Sequence, residues 1–232
     1  DEEMVPAASI PAWRGSGPAA SIPAWKGAPA AAPAAKLKKL SIALSTFLRH
    51  RASGLVRPDG YCLVSSVLKH KDFKKFTLSD IEECVRENDK QRFTLSWLDG
   101  EMHVRATQGH SLQGIDDEQL LTPIAADDPD LPDVCFHGTL FKHVLSIRAQ
   151  GLIAGGKRRG SGRGRRNHIH FTPYMPGDDR TISGVRYDCE CVFVVDWRRA
   201  VADGIPFFLS DNKVMLTRGP VPSDYVIDLT IL

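Results

Sequence analysis

The segment Arg105-Ala106-Thr107-Gln108-Gly109-His110-Ser111, taken with the earlier Leu48-Arg49-His50, supplies two arginines and two histidines beside a turn-prone glycine. A guanidinium fork binds phosphate through paired hydrogen bonds and stays charged at every relevant pH. With imidazoles beside it and no carboxylate partner in either motif, the set suggests a doubly charged phosphate as substrate. Arg49-His50 taken alone fits a helix cap equally well, because cations suit the C-terminal end of a helix. Adding Arg105 and His110 shifts the balance towards a ligand site.

Three further motifs are candidates for chemistry. His137-Gly138-Thr139 ends a strand and opens a helix, where backbone donors can meet an anion or a carboxamide. His168-Ile169-His170 has strand alternation, so both imidazoles share a face. Such a pair can bind metal, but no third ligand stands at suitable spacing, and hydrogen-bonded or ligand-facing histidines are expected instead. Ser183-Gly184-Val185-Arg186 adds one more arginine beside a glycine.

The elements that must carry these residues begin near Leu37. Leu40, Leu44, Phe47 and Leu48 have helical spacing and predict a helix ending near Arg49-His50. Asp59-Gly60 marks a turn, Val64 to His70 a short helix, and Ser79 the N-cap of a third helix that turns Ile81 and Val85 inward. Phe93 to Trp97 and Met102 to Ala106 flank Asp99-Gly100, a hairpin signal. Three helices followed by a hairpin is the order of a winged helix. Residues 115–133 are rich in Asp and interrupted by Pro123, Pro129 and Pro132, which predicts a solvated acidic connection. Beyond it, strands are expected over Val134 to His137, His168 to Thr172, Cys191 to Asp196 and Val214 to Thr217. One helix is expected from Leu140 to Gln150, stopping at Gly151. The fold class read from this order is α+β, in four stretches: a tail over 1–36, a winged-helix lobe over 37–114, the acidic connection over 115–133 and a mixed α/β lobe over 134–232.

Composition narrows the function classes. At 232 residues, 42% hydrophobic and net charge +2, the chain can bury one large core or two small ones, and any basic surface must be local. Five cysteines without a CxxC pair fit scattered thiols in a reducing compartment. No apolar run approaches the roughly 18 residues of a membrane span, and the acidic Asp1-Glu2-Glu3 argues against a secretory signal. A soluble protein of cytosol or nucleus, without a membrane partner, is expected. Residues 1–36 are dominated by Ala, Pro and Gly and repeat Ser-Ile-Pro-Ala-Trp at 9–13 and 21–25, which reads as a flexible tail. The basic run from Gly155 to Arg166 reads as a loop that could track phosphates without sequence readout. No dinucleotide-binding or P-loop fingerprint occurs.

Taken in order, Leu48-Arg49-His50, Arg105 to Ser111, His137-Gly138-Thr139, His168-Ile169-His170, Ser183 to Arg186 and Ala202 to Phe208 resemble the NAD-dependent RNA 2′-phosphotransferase family over about residues 37–230. The resemblance implies a winged-helix RNA lobe followed by an ADP-ribosyltransferase-like lobe. It implies a catalytic set at Arg49, His50, Arg105 and Arg186, NAD contacts at His137, Gly138, Thr139, His170, Ser183 and Gly184, and RNA contacts at Arg49, His50, Arg105, His110 and Ser111. It implies no metal. The substrate would be RNA bearing a 2′-phosphate, such as a spliced tRNA. The phosphate would attack the nicotinamide-bearing ribose carbon of NAD, giving an ADP-ribosylated RNA phosphate. A ribose hydroxyl would then release RNA and ADP-ribose 1″,2″-cyclic phosphate. Arg49, His50 and Arg105 would position the phosphate for the first step, and Arg186 would stabilise charge in the second.

Two departures from the family pattern stand out. The segment before His168 is longer and more basic than usual. Lys213 stands where glycine is common, which carries a small cost if the turn needs positive φ. Two other functions compete: an ADP-ribosyltransferase that caps terminal nucleic-acid phosphates, and a non-catalytic RNA-binding module. The second predicts loss of the site arginines, and Arg49, Arg105 and Arg186 are all present.

Overall fold

The structure is a computed structural model that describes residues 34–155, 166–186 and 188–232. The repeated tail motif at 9–13 and 21–25, and the basic run between its end residues Gly155 and Arg166, lie outside the described residues. The described residues fall in one compact unit.

Helix α1 (Ala34–His50) begins slightly ahead of the expected Leu37, on an Ala- and Lys-rich stretch of good helix formers. Its apolar stripe, Leu40, Leu44, Phe47 and Leu48, is buried as its spacing requires. Strand β1 (Tyr61–Leu63) and helix α2 (Val64–Lys69) follow. Helix α3 (Leu78–Arg86) is capped by Thr77 rather than Ser79. Asp80 stands three residues after Thr77 and closes a reciprocal capping box: the Asp80 N–H donates to Thr77 Oγ1 at 3.2 Å, and the Thr77 N–H to Asp80 Oδ2 at 2.8 Å. Ser79 has Glu82 at the same spacing, but the helix starts at Leu78 and the box forms at Thr77.

Strands β2 (Phe93–Leu98) and β3 (Glu101–Ala106) form the expected hairpin, with Asp99 and Gly100 at φ 51° and 78°. The expectation missed β1, which pairs with the other side of β3 and makes β3 the central strand. Arg105 on β3 therefore stands between Tyr61 and Thr94 in register.

The acidic segment is more tightly built in than a solvated connection. It forms helix α4 (Asp117–Leu120) and strand β4 (Thr122–Pro123), and Asp117 is only 8% exposed. Ile115, Leu120 and Leu121 join one core, and Ile124 joins the other. Arg198 holds the rest of the segment by donating to the carbonyls of Ala126 (2.7 Å), Asp128 (2.9 Å) and Leu131.

The remaining elements are β5 (Cys135–Thr139), α5 (Val144–Gln150), β6 (Ile169–Phe171), β7 (Cys191–Val195), α6 (Trp197–Ala202), β8 (Phe208–Leu209), β9 (Met215–Thr217) and β10 (Val226–Ile231). Two antiparallel sheets result, ordered β10-β7-β5 and β4-β8-β9-β6. They meet where Phe136 exchanges both backbone hydrogen bonds with Thr172, at 2.8 and 2.9 Å. The protein is thus of mixed α/β type, with small antiparallel sheets. Phe171, Phe193, Trp197, Phe207 and Met215 fill one core. The other, built on Leu44, Leu48, Phe73, Ile81 and Val104, also takes Phe208, Val214 and Leu216 from the far end of the chain. Burial of these side chains at about 25 cal/mol per Å² is the main force joining early and late parts of the chain.

Candidate functional site

The end of α1 is clasped by the 108–111 turn. The Ser111 N–H donates to the Arg49 carbonyl at 2.9 Å, and Ser111 Oγ lies 2.9 Å from His50 Nδ1. Gly109 has φ +88°, and a Cβ there would stand 3.4 Å from Arg49 Nε and 3.5 Å from its Cζ. The Arg49 guanidinium thus lies against a bare Cα, in a conformation that disfavours any other residue. His110, next in the chain, is 1% exposed, and neither ring nitrogen has a hydrogen-bond partner among the described residues. Burial, and then the charges of Arg49, His168, His50 and Arg105, push its pKa down to about 3. Its imidazole is neutral at physiological pH.

Arg105 reaches the same cluster from β3. Its guanidinium carbon stands 4.8 Å from the Tyr61 ring centre, and its Nη1 donates to the Asp59 carbonyl at 3.3 Å. Its Nη2 donates to Asp211 Oδ2 at 2.7 Å, and the same oxygen accepts from Thr94 Oγ1 at 2.8 Å. Arg105 Nε is buried without an acceptor among the described residues. The expectation that the arginines have no carboxylate partner is therefore corrected: Asp211, in the turn noted only for Lys213, supplies one. It sits on a turn in which Lys213 does adopt φ 61°, so the cost attached to that substitution applies. Ser210 and Asn212 brace the turn, the latter donating to the Lys90 carbonyl at 2.9 Å.

A chain of histidines continues from this cluster. His170 Nδ1 faces the His168 carbonyl at 3.1 Å, and its Nε2 faces the Gln108 side-chain amide at 2.9 Å. A carbonyl can only accept, so Nδ1 carries the proton. Burial holds the His170 pKa well below the usual value, so the ring is neutral and Nε2 accepts. Gln108 must then turn its NH₂ towards it, an orientation assigned from the network. By the same reasoning His137 donates from Nδ1 to the His170 carbonyl at 2.9 Å, leaving its Nε2 as an acceptor. Burial lowers its pKa as well. His168 instead meets buried Asp117, Nε2 to Oδ2 at 3.0 Å.

His137, Gly138 and Thr139 all lie on β5, and Ser183, Gly184 and Arg186 lie on the loop packed against it. A Cβ at Gly138 would come within 2.6 Å of Val185 Cγ1, and one at Gly184 within 2.7 Å of Thr172 Cγ2. Both glycines are required by close approach. Thr139 is buried at the strand end, and Ser183 is half-buried. Arg186 is forked onto Asp188, at 2.9 and 2.7 Å. The structure thus gathers Arg49, His50, Arg105, His110 and Ser111 in one cluster and joins His170 and His137 to it through Gln108. It puts Ser183 and Gly184 beside Gly138, and engages Arg186 with a carboxylate of its own loop. Sequence reasoning missed Asp211, Asp117 and the bridging role of Gln108. Only Gln108 had a local signal, its place inside the Arg105 to Ser111 motif. Among the described residues no group of three or more His, Cys, Asp or Glu is arranged to hold a metal ion, and no helix is long and apolar enough to cross a membrane.

Comparison with known proteins was made against this geometry. Residues 35–219 match the family model described as RNA 2′-phosphotransferase, Tpt1 / KptA family. The chain is 42% identical over 186 residues to tRNA 2′-phosphotransferase 1 of Danio rerio, covering 78% of each chain. It is 42% identical over 188 residues to the Homo sapiens protein of the same name, covering 78% of this chain and 69% of that one. Against tRNA 2′-phosphotransferase of Saccharomyces cerevisiae it is 35% identical over 187 residues, covering 77% of each.

Proposed function

The chain belongs to the RNA 2′-phosphotransferase, Tpt1 / KptA family, and from that premise we propose that it removes the 2′-phosphate from RNA such as spliced tRNA by transfer to NAD, releasing nicotinamide and ADP-ribose 1″,2″-cyclic phosphate. The observation that carries the reading is the cluster at the end of α1. Arg49, His50, Arg105 and His110 converge there from separate segments, and buried donors at Arg105 Nε and on the His110 ring have no acceptor within the described residues. A phosphate with several oxygens offers such donors their acceptors. The backbone needs no rearrangement there, because β3, α1 and the 108–111 turn already hold the groups in position.

Two features support NAD. Phe136 sends both backbone bonds to the outer edge of β5, so Gly138, two residues on, turns its N–H and C=O to the same edge. A donor and an acceptor side by side suit a carboxamide. The acceptor Nε2 of His137 suits a ribose hydroxyl. His137, Gly138, Thr139, His170, Ser183 and Gly184 are the residues that would hold NAD. When bound, it supplies an electrophilic ribose carbon with nicotinamide as leaving group. In this reading Arg49, His50 and Arg105 hold the phosphate in line with that carbon, His110 and Ser111 add RNA contacts, and a phosphate dianion is nucleophile enough without a carboxylate base. Arg186, able to leave Asp188 on an exposed loop, neutralises charge in the second step. The early helices and hairpin act as a winged-helix lobe for RNA, and the later sheets as an ADP-ribosyltransferase-like lobe.

The test is incubation with NAD and a short RNA bearing one internal 2′-phosphate, followed by mass spectrometry. RNA with a free 2′-OH, nicotinamide and ADP-ribose cyclic phosphate are expected together. RNA unchanged in mass would overturn the reading.

A further inference from the structure

Several arginines among the described residues pair with aspartates, and three of them show the full two-point grip that the Arg105 pair lacks. Arg180 on Asp178, Arg186 on Asp188 and Arg218 on Asp117 each present the Nε and Nη2 edge to both carboxylate oxygens, at 2.6 to 2.9 Å. That two-point geometry is the strong form of the interaction. Arg105 gives Asp211 only Nη2, at 2.7 Å, and leaves Nε buried and unmatched. The receiving oxygen, Oδ2, is already shared with Thr94. Asp211 therefore covers one point of the edge by which Arg180, Arg186 and Arg218 grip an anion.

We propose that Asp211 is an internal competitor for the 2′-phosphate, holding Arg105 in the RNA-free protein and yielding the Nε and Nη2 edge to the phosphate when RNA binds. The proposal rests on the phosphate-binding role assigned to Arg105 above. A phosphate can take both donors at once, including the buried Nε that Asp211 leaves without an acceptor, and it brings up to two charges where the carboxylate brings one. Asp211 can give way at little cost. Its side chain is 42% exposed and returns to water on release. It also lines a cavity of about 460 Å³ with Gln91, Thr94 and Thr107, so it has room to swing aside. The backbone beneath it stays in place, because buried Ser210 and Asn212 anchor the turn. The competition lowers the affinity of any anion at Arg105. In return, the Arg105 charge is compensated and its side chain kept aimed into the site between turnovers.

The test measures binding of a short RNA with one internal 2′-phosphate, and of its 2′-hydroxyl counterpart, at low salt without NAD. Wild type, Asp211→Asn and Asp178→Asn are compared, the last removing the same charge from the Arg180 pair. Asp211→Asn is expected to bind the phosphorylated RNA about fivefold more tightly than wild type, the scale of one partly exposed ion pair. Asp178→Asn should bind as wild type does. In an Arg105→Ala background the gain from Asp211→Asn should vanish. Unchanged or weaker binding by Asp211→Asn would overturn the proposal, and weaker binding would make Asp211 an aligner of Arg105. A gain equal to that of Asp178→Asn, or one that survives without Arg105, overturns it too. Wild type failing to prefer the phosphorylated RNA would instead remove the functional reading on which the proposal stands.

Discussion

Buried Asp117 and His168, with half-exposed Arg218, form one polar cluster of this protein, and Arg49, His50, Arg105 and His110 form another. Both are assembled from distant parts of the chain, and His168 and His110 lie near enough for their charges to interact. They differ in how much carboxylate stands against their cations. Asp117 accepts two hydrogen bonds from Arg218, at 2.6 and 2.9 Å, and faces His168 at 3.0 Å, which accounts for both of its oxygens. In the other cluster Arg105 shares one carboxylate oxygen with Thr94, and buried donors on Arg105 and His110 lack acceptors among the described residues. Burial of charge is common to both and does not mark function. Several unmatched buried donors gathered in one place are a better mark, because each costs about 1–3 kcal/mol unless a ligand satisfies it.

The contrast breaks most sharply at Arg105. Arg105→Ala should cut the rate of 2′-phosphate removal by about 10²–10³-fold, as loss of one preorganised donor to a charged reacting group does. Its unfolding midpoint in urea should stay close to that of wild type; near-normal turnover would take Arg105 out of the site. Asp117→Ala should do the reverse. Removing one partner of a buried ion pair costs about 3–5 kcal/mol, reduced here to about 2–3 because Arg218 is half exposed and can return to water. That loss would be read from urea denaturation, with the activity of the folded fraction within severalfold of normal. A stable Asp117→Ala protein that is inactive would erase the distinction between the clusters.

A smaller effect sharpens the comparison through pH. His110 has a folded-state pKa of about 3, below the ordinary value of 6.5. Between those values the unfolded chain binds the extra proton, so stability is complete above about 6.5 and falls as pH drops. The slope from this one group is about 1 kcal/mol per pH unit. His137 and His170, also shifted down, act in the same direction. Asp117, lowered to about 2, contributes stability that is lost only below the ordinary carboxylate range, so it leaves the window from pH 5 to 7 undisturbed. His110→Asn should therefore flatten the dependence of unfolding free energy on pH between 7 and 5. An identical slope in the variant would mean that His110 is already paired or protonated in the folded protein.

Much of this was legible in the sequence where the determining contacts are local. The α1 stripe, the Asp99-Gly100 hairpin and the strands around His137 and His170 follow from periods of 3.6 and 2 and from turn residues. The four phosphate-competent residues stood out by type and spacing alone. The helix cap was misplaced because Ser79 and Thr77 are both capping residues, and only the reciprocal bond from Asp80 decides between them.

What the chain determined by itself is therefore the set of reactive groups and the local elements that carry them, since helix and strand periodicity and turn chemistry act over a few residues. Tertiary structure decided which charges are matched. Asp117, one acid among many in a proline-broken stretch, is buried only because its neighbours Ile115, Leu120 and Leu121 pack into the core beside it. Asp211 meets Arg105 only because Phe208, Val214 and Leu216 bury themselves with Leu48 and Val104 and carry the intervening turn across to β3. Apolar burial is non-directional and acts between residues of any separation, so the partners that it brings together leave no pattern in the sequence.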